Sequence, residues 1–186
     1  MESGFNERRS KIRIRPFVME KEIVNRVAQS KLVTFDLEEH YPAGERILID
    51  IKDWLYEGFV LREKDFRETA KAHNWQQYKD AYVALTCTSD AIIPAWAFML
   101  LSTYLHPVAK KVIIGNLEQL ETSIYQEIIP TLDLEHLKGL PVIVKGCSNK
   151  PVPQNAYLFL LEKLQPIAKS IMYGEACSAV PLVKNK

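Results

Sequence analysis

The chain has 186 residues, 47% of them hydrophobic and 25% charged, and a chain of this length can bury a substantial core without disulfides or metals. Its 24 Lys and Arg residues balance 23 Asp and Glu residues, which gives no general reason to expect binding to nucleic acid or to an anionic membrane. No stretch approaches the roughly eighteen unbroken apolar residues that a membrane span requires.

The N-terminus and the cysteines indicate the compartment. The basic residues of positions 8–15 precede no apolar segment, so the sequence predicts no signal peptide. The three cysteines are odd in number and widely spaced. We therefore expect reduced thiols in the cytoplasm rather than a disulfide framework.

Residues 1–18 differ in composition from the rest of the chain. We predict that they form a flexible basic extension and that residues 19–186 form a single domain. An edge strand is an alternative for the extension, because basic and apolar residues alternate over 11–16. Apolar residues at helical spacing then predict a short amphipathic helix over residues 19–30.

Two predicted strands follow, over residues 32–37 and 46–51. The turn residues of positions 41–44 separate them, which predicts an antiparallel hairpin at one edge of the sheet. A helix is predicted over residues 65–75.

The second half alternates regularly between strands and helices. Strands are predicted over residues 82–87, 110–115, 141–146 and 168–173, and helices over residues 94–106, 117–129 and 153–167. Such alternation requires crossover connections. The sequence thus predicts an α/β domain whose mostly parallel sheet carries helices on its faces.

Two of these strand–helix units share a pattern. Each has a Cys near the end of its strand, Cys87 or Cys147, and a short loop that leads to the motif Pro-x-x-Ala-[Phe/Tyr]-x-x-Leu. The motif begins at Pro94 and at Pro153, and both prolines are predicted in the first turn of a helix, where proline is tolerated. Cys177 follows the last predicted strand.

The three cysteines form the candidate site. The carboxyl ends of parallel strands share one edge of a sheet, so Cys87, Cys147 and Cys177 can converge there. A nearby helix N-terminus favours the thiolate form, and converging thiolates repel one another unless a cation lies between them. A zinc or iron ion, or an iron–sulfur cluster, supplies that cation.

Two carboxylates lie near the cysteines in sequence and are candidates for a fourth ligand. Asp90 comes three residues after Cys87, and Glu175 comes two residues before Cys177. Each also has a structural interpretation, Asp90 as a cap of the following helix and Glu175 as a solvated loop charge.

Other motifs of catalysis are missing from the sequence. It contains no nucleophile elbow, no phosphate-binding Gly-rich loop and no dinucleotide fingerprint. No two of the four histidines have metal-ligand spacing, although His40 lies in a predicted turn and could face a site. Trp54, Trp75 and Trp96 are interpreted as core residues.

Several blocks resemble a known family. They are Glu-Ile-Val-Asn-Arg-Val at 22–27, Thr-Phe-Asp-Leu at 34–37, Asp-Ile-Lys-Asp-Trp-Leu at 50–55, Leu-Arg-Glu-Lys-Asp-Phe at 61–66, Ser-Ile-Met-Tyr-Gly-Glu at 170–175 and the two Cys loops. From about residue 22 to 184 the chain resembles an uncharacterised bacterial family, domain of unknown function 2480. The resemblance supplies no activity. It implies partners among iron–sulfur assembly proteins, because genes of the family often neighbour genes for that process.

The leading hypothesis is a cytoplasmic protein that binds a metal ion or an iron–sulfur cluster through the three cysteines, as an accessory to cluster assembly. Two alternatives remain open at this point. In one, the protein is a scaffold or interaction protein whose cysteines only pack. In the other, it is a thiol-dependent enzyme that uses Cys87 or Cys147 as a nucleophile.

Overall fold

The computed structural model describes residues 31–146, 149–175 and 178–185. The strands are β1 (Val33–Phe35), β2 (Arg46–Asp50), β3 (Tyr82–Thr86), β4 (Lys111–Ile114), β5 (Pro141–Val144), β6 (Ser170–Glu175) and β7 (Ser178–Lys184). The helices are α1 (Glu63–Ala72), α2 (Ala95–Leu105), α3 (Leu117–Thr131) and α4 (Gln154–Leu164), and short 3-10 helices lie between several of these elements.

The strands form two open sheets. Sheet A has the order β1-β5-β6-β7 and sheet B the order β2-β3-β4. All neighbouring strands are parallel except β6 and β7. The predicted α/β class with mostly parallel pairing is confirmed, and the described strands are divided between two sheets.

The structure corrects the predicted N-terminal hairpin. Both strands exist, but β1 pairs with β5 and β2 pairs with β3, each in parallel. The reason is burial, because both central strands, β3 and β5, are buried along their length and need a neighbour on each side. β1 and β2 supply one neighbour each, in different sheets.

Helix α3 contacts both sheets. Helices α1 and α2 cover one face of sheet B, and α3 and α4 cover one face of sheet A. Two residues of α3, Leu120 and Ile124, also pack on Ala84 of sheet B, whereas Tyr125 and Ile129 pack in the core of sheet A. Apolar residues on two sides of one helix thus join the two halves of the core.

The two halves repeat each other at a constant shift. Helix α2 begins at Ala95 and α4 at Gln154, a difference of 59 residues. The same shift relates the buried residues of the two helices, which are Ala97, Leu101 and Leu105 in α2 and Ala156, Leu160 and Leu164 in α4. The predicted repeat is therefore structural, and Pro94 and Pro153 occupy the N-cap position rather than the first turn.

The same shift of 59 residues relates hydrogen bonds of the connecting loops. The Asp80 amide donates to the Val108 carbonyl at 2.9 Å, and the Gly139 amide donates to the Ile167 carbonyl at 2.8 Å. The bond from Lys110 to Ala81 likewise has its counterpart between Lys169 and Leu140. The repeat covers whole strand–helix–strand units rather than a short motif.

A C-terminal hairpin, which the sequence did not predict, closes one side of sheet A. Strand β7 pairs antiparallel with β6, and the register shifts between Ile171 and Met172. Pro181 lies within β7, opposite Met172. Among the described strands, the antiparallel edge is therefore C-terminal.

The predicted extension over 1–18, the helix over 19–30 and the start of the domain at residue 19 lie outside the described residues. Within the described residues, none of the helices combines the length and the apolar character that crossing a membrane requires.

The repeat predicts matched losses of stability. Replacing Leu101 or Leu160 by Ala should lower the free energy of unfolding by about 2–5 kcal/mol in each half, because each side chain is fully buried. Met99→Ala and Leu158→Ala are the controls, since the shift of 59 relates them too and both side chains are exposed. These two variants should change the free energy of unfolding by less than about 0.5 kcal/mol in denaturant titrations. A loss as large as that of the Leu variants would contradict the assignment of Met99 and Leu158 to the exposed faces of the two helices.

Candidate functional site

An aspartate follows the first strand of each sheet. Asp36 comes directly after β1, and Asp50 ends β2. In each case the carboxylate accepts the amide hydrogen of the residue two positions later, at 2.9 Å from Glu38 and at 3.0 Å from Lys52. Aspartate favours such turns because its side chain replaces a backbone acceptor. The same kind of aspartate turn thus follows β1 in sheet A and β2 in sheet B.

At the edge of sheet A, the aspartate binds a lysine. The Lys145 ammonium lies 2.5 Å from the Asp36 carboxylate and 3.6 Å from the Glu38 carboxylate. Burial opposes ionisation of Asp36, but the hydrogen bonds from Lys145 and from the Glu38 amide outweigh it and hold its pKa below 3.8. The hydrogen bond to Asp36 raises the pKa of Lys145 above 10.5. Asp36 and Lys145 are therefore charged at neutral pH.

Glu38 also holds the loop between β5 and α4. Its carboxylate accepts the amide hydrogens of Asn149 and Lys150, and the Lys150 ammonium donates to the Glu38 carbonyl at 3.2 Å. A carboxylate that accepts two backbone amides is a strong, charge-assisted acceptor. The β5–α4 loop is thus tied to the edge of sheet A at residues 149 and 150.

Glu175 belongs to the same edge. It is the last residue of β6, it is exposed, and its charge contributes to the raised pKa of Lys145. Strands β5 and β6 are parallel neighbours with Val144 opposite Tyr173. Cys147 follows β5 and Cys177 follows β6 in the sequence, and both lie outside the described residues.

The remaining cysteine is at the end of a strand of the other sheet. Cys87 follows β3 of sheet B, is half-buried, and packs against the core between sheet B and helices α1 and α2. Its sulfur lies 4.0 Å from the Ser89 carbonyl oxygen. Asp90 is exposed and does not cap α2, because Pro94 occupies that N-cap. The shift of 59 carries Cys87 onto Gly146, so Cys87 and Cys147 are one position apart in the repeat.

The structure leaves the three-cysteine site as a prediction. Among residues 31–146, 149–175 and 178–185, no three His, Cys, Asp or Glu side chains lie close enough together to hold a metal ion. Two of the three thiols are outside those ranges. The predicted site residues that the structure describes are divided between the sheets. Glu175 ends a strand of sheet A, whereas Cys87 and Asp90 follow a strand of sheet B.

A buried ion pair, which the sequence did not predict, joins β2 to α3. The Arg46 guanidinium lies 2.7 Å from the Glu121 carboxylate, and their side chains are only 11% and 4% exposed. The Tyr41 hydroxyl donates to the same carboxylate at 2.8 Å, and the guanidinium lies 4.0 Å from the centre of the Tyr41 ring. Burial and the hydrogen bond to Glu121 raise the pKa of Tyr41 to about 12.

A cavity of about 380 Å³ opens beside this pair. Most of its wall is apolar surface, and Arg46 and Glu121 are among its polar lining residues. Its lining residues are Tyr41, Arg46, Leu117, Glu118, Glu121, Pro151, Val152, Pro153 and Gln154. The cavity thus lies at the beginnings of α3 and α4, and its size is in the range of small-molecule pockets.

The predicted core role of the tryptophans is confirmed for Trp75, which is buried, while Trp54 is half-buried against the same core. Both rings contact His73, at 4.7 Å from Trp75 and 5.2 Å from Trp54 between ring centres. The candidate His40 is half-buried and stacks on Phe35 at 5.2 Å.

Sequence reasoning missed the Asp36–Glu38–Lys145 cluster and the Arg46–Glu121 pair. A local signal existed for the aspartates, because Phe-Asp-Leu at 35–37 and Ile-Asp-Ile at 49–51 both place Asp after an apolar strand. The Arg46–Glu121 pair spans 75 residues and leaves no local pattern.

Comparison with known proteins identifies a family and nothing closer. A family model described as "Protein of unknown function (DUF2480)" matches residues 21–185. Neither the curated proteins nor the solved structures gave a significant match.

The ion pair predicts a non-additive effect on stability. Arg46→Met or Glu121→Leu alone should lower the free energy of unfolding by roughly 3–5 kcal/mol, because each leaves an uncompensated buried charge. The double variant should lose clearly less than the sum of the two in a double-mutant cycle. Additive losses would show that the two side chains do not interact in solution.

His73 predicts a pH dependence of stability. The Gln77 amide nitrogen can only donate, so Nε2 of His73 accepts, and burial lowers the pKa of the ring below 6.5. The unfolded chain then binds a proton that the folded chain does not, so the free energy of unfolding should fall as pH decreases below 6.5. In denaturant titrations between neutral and mildly acidic pH, the free energy of unfolding of His73→Gln should fall less than that of the wild type. An equal fall in both proteins would contradict the lowered pKa of His73.

Proposed function

The chain belongs to the DUF2480 family of proteins of unknown function, and we propose that it binds a metal ion or an iron–sulfur cluster at the carboxyl edge of sheet A. The proposed ligands are the thiolates of Cys147 and Cys177. The proposed role is that of an accessory to iron–sulfur cluster assembly in the cytoplasm. The proposal rests on the pairing of β5 with β6 and on the charged residues at that edge of sheet A.

The pairing of β5 with β6 is the observation that carries the proposal. The two strands are parallel neighbours in continuous register, and Cys147 follows β5 by three residues while Cys177 follows the end of β6 by two. Neighbouring parallel strands lie about 4.8 Å apart, so residues that leave them at the same edge start close together. Two thiolates that converge at this edge would favour a bound cation.

Charges around this edge fit a cation. Asp36, Glu38 and Glu175 place three carboxylates near one ammonium, that of Lys145. Asp36 and Glu38 are already occupied by Lys145 and by loop amides, whereas the Glu175 side chain is exposed. The donor set is therefore two thiolates with Glu175 as a third ligand. Such a set leaves one tetrahedral position open for solvent or for a group of a partner protein.

Glu38 has a defined part in this arrangement. By accepting the amides of Asn149 and Lys150, it holds the part of the β5–α4 loop that follows Cys147 in the sequence. A loop held in this way loses less conformational entropy when its thiol becomes a ligand. Lys145 offsets part of the negative charge that two thiolates and the carboxylates would accumulate.

Cys87 and Asp90 have a different environment. They follow β3 of sheet B, and Cys87 packs against an apolar core. This favours a packing role for Cys87, so Cys87→Ser is a matched control for the other two cysteines.

The experiment is metal and acid-labile sulfide analysis of the untagged full chain, purified without oxygen. Near-stoichiometric metal is expected, and labile sulfide would identify a cluster. Cys147→Ser and Cys177→Ser should each lose most of the metal, because each removes one of two thiolate ligands. Cys87→Ser should retain it.

Two results would count against the proposal. Absence of metal after anaerobic reconstitution would remove the metal-binding role. Equal loss in all three Ser variants would instead extend the site to Cys87, as the sequence predicted, and would contradict the restriction to sheet A. Circular dichroism of each variant separates loss of metal from loss of fold.

A further inference from the structure

The cavity beside the Arg46–Glu121 pair contains a buried carboxylate oxygen with unused bonding capacity. Glu121 is only 3% exposed. Its Oε1 accepts from the Tyr41 hydroxyl at 2.8 Å and from Nε of Arg46 at 2.7 Å. Its Oε2 lies 3.4 Å from Nη2 of Arg46, which is longer than an ordinary hydrogen bond, and has no other donor among the described residues. A buried acceptor of this kind gains most from a donor that enters the cavity.

A second carboxylate lines the same cavity. Glu118 precedes Glu121 by three residues on α3, and residues at this spacing are neighbours on one face of a helix. Glu118 is exposed, and in the described parts of the chain no hydrogen bond or ion pair engages its carboxylate. One donor group in the cavity can therefore reach both carboxylates.

The charges of the cavity do not cancel. Among the described residues that line it, Arg46 is positive, whereas Glu118 and Glu121 are negative. Two backbone carbonyls also accept from the Arg46 guanidinium, at 2.8 and 2.6 Å, and hold it in place. The Lys150 ammonium donates to the Glu38 carbonyl and is not among these lining residues. The uncompensated negative charge is complementary to a ligand with one positive charge.

The rest of the wall suits an apolar body. Leu117, Pro151, Val152 and Pro153 line the cavity beside the two carboxylates. A volume of about 380 Å³ is in the range of pockets that hold small molecules. The ligand that fits both parts of the wall thus has an apolar group and a positively charged donor.

We propose that this cavity binds a small primary amine with an apolar body. The ammonium group donates to Oε2 of Glu121 and to the Glu118 carboxylate, since its three N–H groups can serve several acceptors. The apolar body packs against Leu117 and Val152. The site is independent of the metal site proposed above, because neither Glu175 nor a cysteine is among its described lining residues.

The probe is 2-phenylethylamine, and 2-phenylethanol is its neutral counterpart with the same ring and chain. Each compound is titrated into the isotope-labelled full chain at neutral pH and followed by NMR. For the amine, saturable shifts are expected at the amides of Leu117, Glu118 and Gln154, which line the cavity. The alcohol should bind about tenfold more weakly, because hydrogen bonds between charged groups are stronger than those of a hydroxyl.

Variants of the protein test the two parts of the site. Glu118→Gln should weaken binding of the amine about threefold, because the carboxylate is exposed, and should leave binding of the alcohol unchanged. Glu68→Gln is the matched control, since Glu68 is exposed on α1 and does not line the cavity. It should leave binding of both compounds unchanged. Val152→Trp should abolish binding of both, because the larger side chain fills the cavity.

Three outcomes would overturn the proposal. The first is an absence of saturable shifts with the amine in the wild-type protein. The second is equal affinity for the amine and the alcohol, which would assign the cavity to neutral ligands. The third is an equal effect of Glu118→Gln and Glu68→Gln on binding of the amine. These comparisons do not depend on Val152→Trp, whose fold is checked by circular dichroism.

Discussion

The ion pair between Arg46 and Glu121 is the constraint on which the arrangement of the two sheets depends. Glu121 lies on α3, whose apolar residues pack on sheet B on one side and on the core of sheet A on the other. A carboxylate so deeply buried is tolerated only with its partner in place, so the pair allows one register of α3 against β2. Tyr41, which follows β1 of sheet A, joins the same carboxylate. One side chain thus links elements from both halves.

The two edges begin alike but differ in detail. Asp36 and Asp50 make equivalent turns after β1 and β2, but their partners differ: Lys145 binds Asp36, whereas the Thr88 hydroxyl binds Asp50 at 2.5 Å. One edge is consequently rich in charge and the other is capped by a neutral hydroxyl and flanked by apolar loops. The two edges therefore have distinct chemistry, charged at sheet A and largely neutral and apolar at sheet B.

Local patterns in the sequence predicted the elements but not how the strands are divided between sheets. The strands and helices between Tyr82 and Glu175 match the prediction to within a few residues, because alternating apolar segments and helix-starting prolines are local signals. Whether the strands form one sheet or two depends on contacts between distant residues. The same alternation of strands and helices is compatible with one sheet and with two. The turn between β1 and β2 has hairpin composition, yet burial of β3 and β5 decided the pairing. The ion pair of Arg46 with Glu121 joins residues too far apart for any local pattern.

The C-terminal strand has a consequence for the behaviour of the protein at high concentration. β7 forms the outer edge of sheet A, and an edge strand can recruit a strand of another molecule through its unpaired amides and carbonyls. Pro181 has no amide hydrogen to offer, and the register shift opposite it interrupts the regular ladder. Two exposed apolar residues, Val180 and Leu182, flank this interruption. The proline thus acts as a gatekeeper against edge-to-edge aggregation at the place where the strand is most apolar.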